Sequence, residues 1–414
     1  MAGPMDGVRV VELAFWVAGP SAAAILADWG AEVVKIEPPD GDPFRGLFLS
    51  AAGLEVPANP PFELDNRGKR SIALDFTKET GREIALRLID RADVFVTNLR
   101  PVVLARLGLD PDSLAARNPR LVYAGITGYG TEGPDRDRPA YDVGAFWSRA
   151  GIAAALTPPG TDPPFQRGAM GDHVAGITGA GAVAAALLAR ERTGRGQAVA
   201  TSLYRIGMFV LGWDLSTTLR LGIPATPMTR TAMPNPVISC YRAGDGRWFW
   251  LLGLQGNRHW PDLVRAVGRP EWLDDPRFTG MRARRENCAE LVRLLDEIFA
   301  TRPLVEWGEV FDREGVWWAP VQTTEDVVAD PQAEAAGATD ATSRRHSNRA
   351  GASFMGDPPS CYACSLRRRL ARCQGKKPVL LCYSARPHAG VAANPNACRG
   401  TTCRPTTFAS TKAR

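Results

Sequence analysis

Residues 8–39, VRVVELAFWVAGPSAAAILADWGAEVVKIEPP, decide the fold class. Residues 8–13 are a short run rich in β-branched side chains, the composition of a strand. Gly19-Pro20 marks a turn, Ser21 is placed to cap a helix over residues 22–29, and Gly30 stops that helix. Residues 32–37 read as a second strand, closed by Pro38-Pro39. Strand, turn, helix, strand is the repeat of a parallel sheet flanked by helices. The expected class is therefore α/β, with a Rossmann-like large domain. A helix N-terminus directly after the first strand is a ready site for a phosphate or pyrophosphate. The segment has no GxGxxG, so it does not itself point to a nicotinamide cofactor.

The pattern continues outward. Residues 44–61 read as a loop, Asn66-Arg67-Gly68-Lys69-Arg70 as a basic solvated turn, and residues 71–76 as a strand. An amphipathic helix is expected over 80–91, a strand over 93–96, a helix over 103–107 ending at Gly108, and a strand over 120–126. Ligands of such sheets bind beyond the carboxyl ends of the strands, where Asn98, Leu99 and Arg100 lie. Residues 168–197, GAMGDHVAGITGAGAVAAALLARERTGRGQ, hold an Ala/Gly-rich run too apolar for a surface loop, which reads as a buried helix with cationic residues at its end. A strand over 199–202 and an apolar helix over 203–219 follow. After a Pro/Thr/Met-rich linker the character changes to a β-hairpin over 237–254 and helices over 258–267, 282–300 and 307–313. The expected organisation is a large α/β domain over 1–225 and a smaller α+β domain over 226–322. Residues 323–338 return to the large domain, and 339–414 form an anomalous tail.

At 414 residues, 45% hydrophobic and 23% charged, the composition is that of a soluble globular protein. The start lacks a basic segment followed by an apolar one, and no apolar run looks uninterrupted enough to span a bilayer. A cytoplasmic protein with no membrane partner is the expectation. The net charge of +6 is carried largely by the tail, in Arg344, Arg345, Arg349, Arg367 to Arg369, Arg372, Lys376 and Lys377. The remainder is mildly acidic, which argues against a nucleic-acid surface. Single arginines there suit a phosphorylated small molecule better.

Asp172 has two readings. An aspartate at the start of a helix is commonly an N-cap. The sharper reading is a carboxylate nucleophile, and resemblance supports it. Gly171-Asp172, the small-residue helix and RERTGRGQ together resemble the active-site segment of the family III CoA-transferases, a group that includes the 2-methylacyl-CoA racemases. The resemblance runs from about Gly7 to about Gly337. It implies that Asp172 carries the reaction and that the dimer is interlocked, each chain threading the other. It also implies that coenzyme A is held by Val17, Ala18, Leu74, Asn98, Leu99, Arg100, Arg106, Tyr141 and Asp142. No metal and no permanently bound cofactor is implied; coenzyme A thioesters and carboxylic acids enter as substrates. Racemases of the group carry His-Asp where this chain has Tyr141-Asp142. Tyrosine, with a reference pKa of about 10, suits an α-proton transfer poorly. His173 follows the nucleophile and is expected to point elsewhere. The expected function is transfer of CoA from an acyl-CoA to a carboxylic acid through an aspartyl-CoA intermediate. A racemase or epimerase, and a non-catalytic acyl-CoA-binding homologue, are the alternatives. The loop from Gly253 to Trp260 matches one that lies toward the acyl site of a partner subunit, with His259 expected to be packing or surface.

From about residue 339 the resemblance stops. Six of the eight cysteines lie beyond that point, at Cys361, Cys364, Cys373, Cys382, Cys398 and Cys403. Cys361-x-x-Cys364 opens like a zinc site, but no second pair follows at metal-ligand spacing. A disordered or frameshifted tail is the expectation.

Overall fold

A computed structural model describes residues 3–55 and 58–337; the expected tail lies outside the described residues. Six strands form one parallel sheet: β1 (Arg9–Leu13), β2 (Glu32–Glu37), β3 (Lys69–Ala73), β4 (Val94–Thr97), β5 (Val122–Thr127) and β6 (Ala198–Ser202). Their order is β3-β2-β1-β4-β5-β6. Every pairing is parallel, with Val10 opposite both Val33 and Val94. The order reverses between β1 and β4, so the ligand crevice of such a sheet belongs at their carboxyl ends.

Successive strand residues serve opposite faces. Val10, Val33, Val94, Val96 and Val122 pack under α1 (Ala18–Asp28). Val11, Ile36, Phe95 and Tyr123 face the other way. Between β2 and β3 lie a 3-10 turn (Pro43–Gly46), α2 (Leu47–Ala52) and α3 (Pro60–Asn66). The stretch expected as loop is thus largely helical: Asp42 and Asn59 cap it through Phe44 N and Phe62 N, and Pro43, Pro60 and Pro61 occupy first turns, where no N–H is needed. α4 (Glu79–Ile89), α5 (Pro101–Leu107) and α6 (Pro111–Arg117) cover the second face with Ile89, Leu104 and Leu114. After β5 come a π-helix (Val143–Arg149), α7 (Ile152–Ala155) and α8 (Met170–Thr193).

α8 is long and apolar enough to cross a membrane, contrary to the expectation that no such run exists. It lies instead against α1 and the sheet, contributing Ala175, Ala180, Val183 and Ala186 to the core. Small residues permit this: a Cβ on Gly176 would sit 2.1 Å from the Ser21 hydroxyl. α1 begins at Ala18, so Gly19-Pro20 is its first turn rather than a turn before it. Ser21 does not cap; its hydroxyl donates to Ala18 O at 3.1 Å. The helix expected over 203–219 is two, α9 (Leu203–Val210) and α10 (Gly212–Leu221), and Ser202 caps the first through Arg205 N.

The smaller sheet is antiparallel, β7 (Ile238–Arg242), β8 (Trp248–Leu252) and β9 (Trp318–Pro320) in that order. α11 (Gly256–Ala266), α12 (Met281–Glu286), α13 (Cys288–Phe299) and α14 (Leu304–Glu314) complete it, the expected 282–300 helix being broken at Asn287. An aromatic core holds these elements, with Phe249 edge-on to Phe299 at 5.0 Å. The short helices α15 (Thr324–Ala329) and α16 (Pro331–Ala335) end the described chain.

The large sheet is tied by buried charge. Glu12 on β1 is fully buried, with Lys35 of β2 at 2.8 Å and Lys69 of β3 at 2.7 Å. Lys69 was expected in a solvated turn. Its ammonium instead donates to Pro20 O, Asp65 O and Asn66 Oδ1, and burial pulls its pKa down to about 8. Removing one partner of a buried pair leaves the others uncompensated. Glu12→Leu is expected to cost about 3–5 kcal/mol, read as a lower urea midpoint at unchanged slope. Asp28→Ala, which frees the partly exposed Arg67, should cost under about 1 kcal/mol.

Candidate active site

Beyond the carboxyl ends of β1 and β4 two loops are stapled together. Asn98 donates from Nδ2 to Phe15 O (2.6 Å) and accepts from Phe15 N at Oδ1 (3.0 Å). One residue on, Trp16 adopts φ of +64°, rare for a bulky side chain. Its N–H donates to Asp42 Oδ1 (3.2 Å), and Asp42 Oδ2 is 3.0 Å from Lys35. The buried charge network thus reaches the loop that places Trp16. The indole stands edge-on to Tyr141 at 5.8 Å.

Together these loops wall a cleft of about 400 Å³. Ala18, Asn98, Leu99, Arg100, Tyr141 and Asp142 line it, and so does Asp172. Three expected coenzyme A residues are not in its wall. Val17 is buried against Phe44 and Phe62 behind Trp16, and Leu74 is buried in the core under α4 to α6. Arg106 is exposed on α5, one turn beyond Val103, which does line the cleft. Asn98 is there, but its amide group holds Phe15.

Asp172 is not an N-cap. That position is Ala169, at φ +66°, the second non-glycine residue in left-handed conformation; it packs in the same small cluster as Trp16. Strain of about 1–3 kcal/mol per such residue persists only where surroundings enforce it, and here Ala169 opens the helix that carries Asp172 while Trp16 lines the same cleft. Asp172 follows in the first turn of α8, held by its neighbour. Gly171 N donates to Asp142 Oδ2 (3.1 Å), while a Cβ on Gly171 would meet the Phe146 ring at 2.3 Å and Asp142 Oδ1 at 2.4 Å. At its other end α8 is fixed by Arg190, whose guanidinium is 3.0 Å from Asp93.

Among the described residues the Asp172 side chain has no hydrogen bond or ion pair. Burial raises its pKa to about 7; the adjacent Asp142 carboxylate adds to this, and His173 opposes it. Asp142 is itself buried, and its Oδ1 has no hydrogen-bond partner among the described residues. His173 points away from the cleft, its Nε2 3.1 Å from Asp65 Oδ1. Asp65 carries no local sequence signal, since nothing in PFELDN distinguishes it from Glu63. A larger groove of about 650 Å³ lies at the antiparallel sheet beside Arg230 and Trp248, but Arg230 is neutralised by Asp296 at 2.6 Å. The cleft with the unpartnered carboxylate is the one equipped for covalent chemistry.

Residues 5–363 match the model of CoA-transferase family III, and the chain belongs to that family. The match extends past residue 339. The chain is 34% identical over 332 residues to (R)-2-hydroxy-4-methylpentanoate CoA-transferase of Clostridioides difficile, covering 80% of this chain and 82% of that one. It is 34% identical over 331 residues to cinnamoyl-CoA:phenyllactate CoA-transferase of Clostridium sporogenes, covering 79% and 80%. A CaiB/BaiF family protein from Brucella suis superposes with a TM-score of 0.73 at 32% identity, over 89% of this chain and 100% of that one. The protein is an enzyme of the CoA-transferase class.

Two variants test the cradle of Asp172. Gly171→Ala should destabilise by about 1–3 kcal/mol in urea unfolding, because Phe146 and Asp142 must move. Asp172→Asn should melt above the parent at pH 8. A carboxyl group whose pKa rises from 3.8 to about 7 on folding penalises the folded state increasingly between those values and fully above them. The gain, at most about 4 kcal/mol, should vanish near pH 4.

Proposed function

We propose that Asp172 is the nucleophile of a CoA-transferase that moves CoA from an acyl-CoA to a carboxylic acid through an aspartyl-CoA intermediate. The observation that carries this reading is an unpartnered, partly buried carboxylate on the wall of the cleft at the sheet's switch point. A carboxylate oxygen of Asp172 attacks the acyl carbon of the donor thioester; the C–S bond breaks and CoA leaves as thiolate. The thiolate attacks the Asp172 carbonyl of the mixed anhydride, releasing the donor acid as carboxylate and leaving Asp172 as a CoA thioester. The acceptor carboxylate runs the same steps in reverse. Burial and the Asp142 charge both favour this course. Acylation removes the Asp172 charge, so the penalty on the ionised ground state is relieved as the new bond forms.

In this reading Ala18, Leu99, Arg100 and Tyr141 hold the cofactor portion of the substrate, and Asn98 shapes the wall through Phe15. Arg106 meets a phosphate beyond Val103 with its fork of donors, while Val17 and Leu74 support the wall from behind. The interlocked homodimer belongs to the same proposal. It would cover the apolar side chains that α8 to α10 leave exposed, among them Ile177, Leu188, Phe209, Trp213 and Leu219. Light scattering should give twice the 44.7 kDa chain mass; a monomer at micromolar concentration would remove that part.

The decisive experiment incubates the protein with a panel of acyl-CoAs, quenches with hydroxylamine, and maps the hydroxamate by mass spectrometry. The acceptor panel should include phenyllactate and 2-hydroxy-4-methylpentanoate, named in two relatives. Label is expected on the Asp172 peptide. Its rate should rise about tenfold per pH unit below about 7 and level above, because only the ionised form attacks. Asp172→Ala should lose label and at least about a thousandfold in transfer while still binding CoA. Near-normal transfer by that variant, or α-proton exchange without acceptor, would replace this mechanism.

A further inference from the structure

We propose that Asp65 and His173 are a positioning pair for Asp172: the buried Asp65 carboxylate holds the His173 imidazole as a cation, and that cation is the counter-charge that lets Asp172 ionise beside Asp142. The inference rests on the reading of Asp172 as nucleophile.

The geometry is specific. His173 Nε2 lies 3.1 Å from Asp65 Oδ1. Asp65 is 2% exposed, and its carboxylate makes no other hydrogen bond or ion pair among the described residues. A buried carboxylate is tolerated when paired with a cation and hydrogen-bonded. Neither residue suits its own helix. Asp65 puts a negative charge in the last turn of α3, and His173 puts a positive charge at the start of α8, where its N–H closes the first turn on Ala169 O (2.9 Å). Both placements oppose the helix dipoles, so helix stability does not account for them. Their meeting across α3 and α8, one residue from the nucleophile, does.

The charges facing the site leave this cation its role. Asp142 approaches from the start of the π-helix, Asp65 from α3, and Asp172 and His173 from α8. Lys69 on β3 is the other nearby cation, but Glu12 on β1 and three oxygen acceptors already engage its ammonium. His173 is therefore the counter-ion to three carboxylates. Consecutive helix residues point about 100° apart, which sends Asp172 into the cleft and His173 back to α3. His173 is absent from the cleft wall, so it acts through its field and not on substrate. The hydrogen bond to Asp65, with the Asp172 and Asp142 charges behind it, lifts the imidazole above its usual range despite its partial burial.

The test reads the pH dependence of Asp172 labelling together with the imidazole titration by NMR. With four histidines in the sequence, the His173 resonance is assigned by its loss in His173→Gln. In that variant the acid limb of labelling should move up by about one pH unit. His173→Lys, which keeps a positive charge, should hold the midpoint near the parent's. The His173 midpoint should fall in Asp65→Asn and in Asp172→Asn. The pair is overturned if the Gln and parent profiles coincide, or if His173 titrates no higher than a free imidazole. Should the parent show no label on Asp172, the nucleophile reading fails. The NMR shift then decides the pair alone, and an imidazole indifferent to Asp172→Asn overturns it too.

Discussion

Glu12 holds two lysines that belong to two different strands, and the rest of the large domain is arranged around that contact. A carboxylate with no exposure is costly unless its charge is matched. Matching it here requires β2 and β3 to lie on the same side of β1 in one register, since Lys35 and Lys69 must both reach it. The lysines pass the constraint on. Lys35 anchors Asp42, and Asp42 accepts the N–H of Trp16. Lys69 gathers carbonyls from the first turn of α1 and the last of α3. Hydrophobic burial stabilises the sheet without saying where loop residues sit, because it is non-directional. The ion network supplies the direction, and the loop it directs is a wall of the cleft.

That wall is built under strain. Trp16 and Ala169 both hold left-handed backbone, and both pack in the cluster formed with Val17, Phe44 and Phe62. The nucleophile candidate stands beside a second carboxylate and under partial burial. Each feature disfavours the resting fold locally, and each is confined to the few residues around Asp172. The large core of α1, α8 and the sheet carries the cost. Reactive sites commonly show this distribution.

The strands and their parallel arrangement were legible because β-branched runs alternate with turn residues at regular intervals. The family was legible through the motif around Asp172, not through any local physical signature. What the sequence concealed depends on tertiary partners. Lys69 looks like part of a solvated turn until Glu12 is placed beneath it. Residues 44–61 look like a loop because their prolines suggest interruption, whereas in the fold Pro60 and Pro61 start a helix. His173 was expected to point elsewhere and does, but where it points is settled by Asp65, distant in sequence and unremarkable in composition. Leu74 and Arg106, expected at coenzyme A, sit respectively in the core and outside the cleft wall. The spacing of a motif places backbone; it does not say which side chains turn inward.

The order of the strands in the chain has a consequence for synthesis. All six strands of the parallel sheet, together with α1, α8, Glu12, both lysines and Asp172, occur before residue 203. A ribosome that has delivered Ser202 has released every part of the large sheet. Domains fold as units, the N-terminal one first during synthesis. The ion network and the cradle of Asp172 are therefore available to the nascent chain before the antiparallel sheet has been translated. The antiparallel sheet has no such advantage: its β7-β8 hairpin waits for β9, made only after four intervening helices. A truncated product ending in that interval would carry an intact cradle for Asp172 beside a sheet still lacking its third strand.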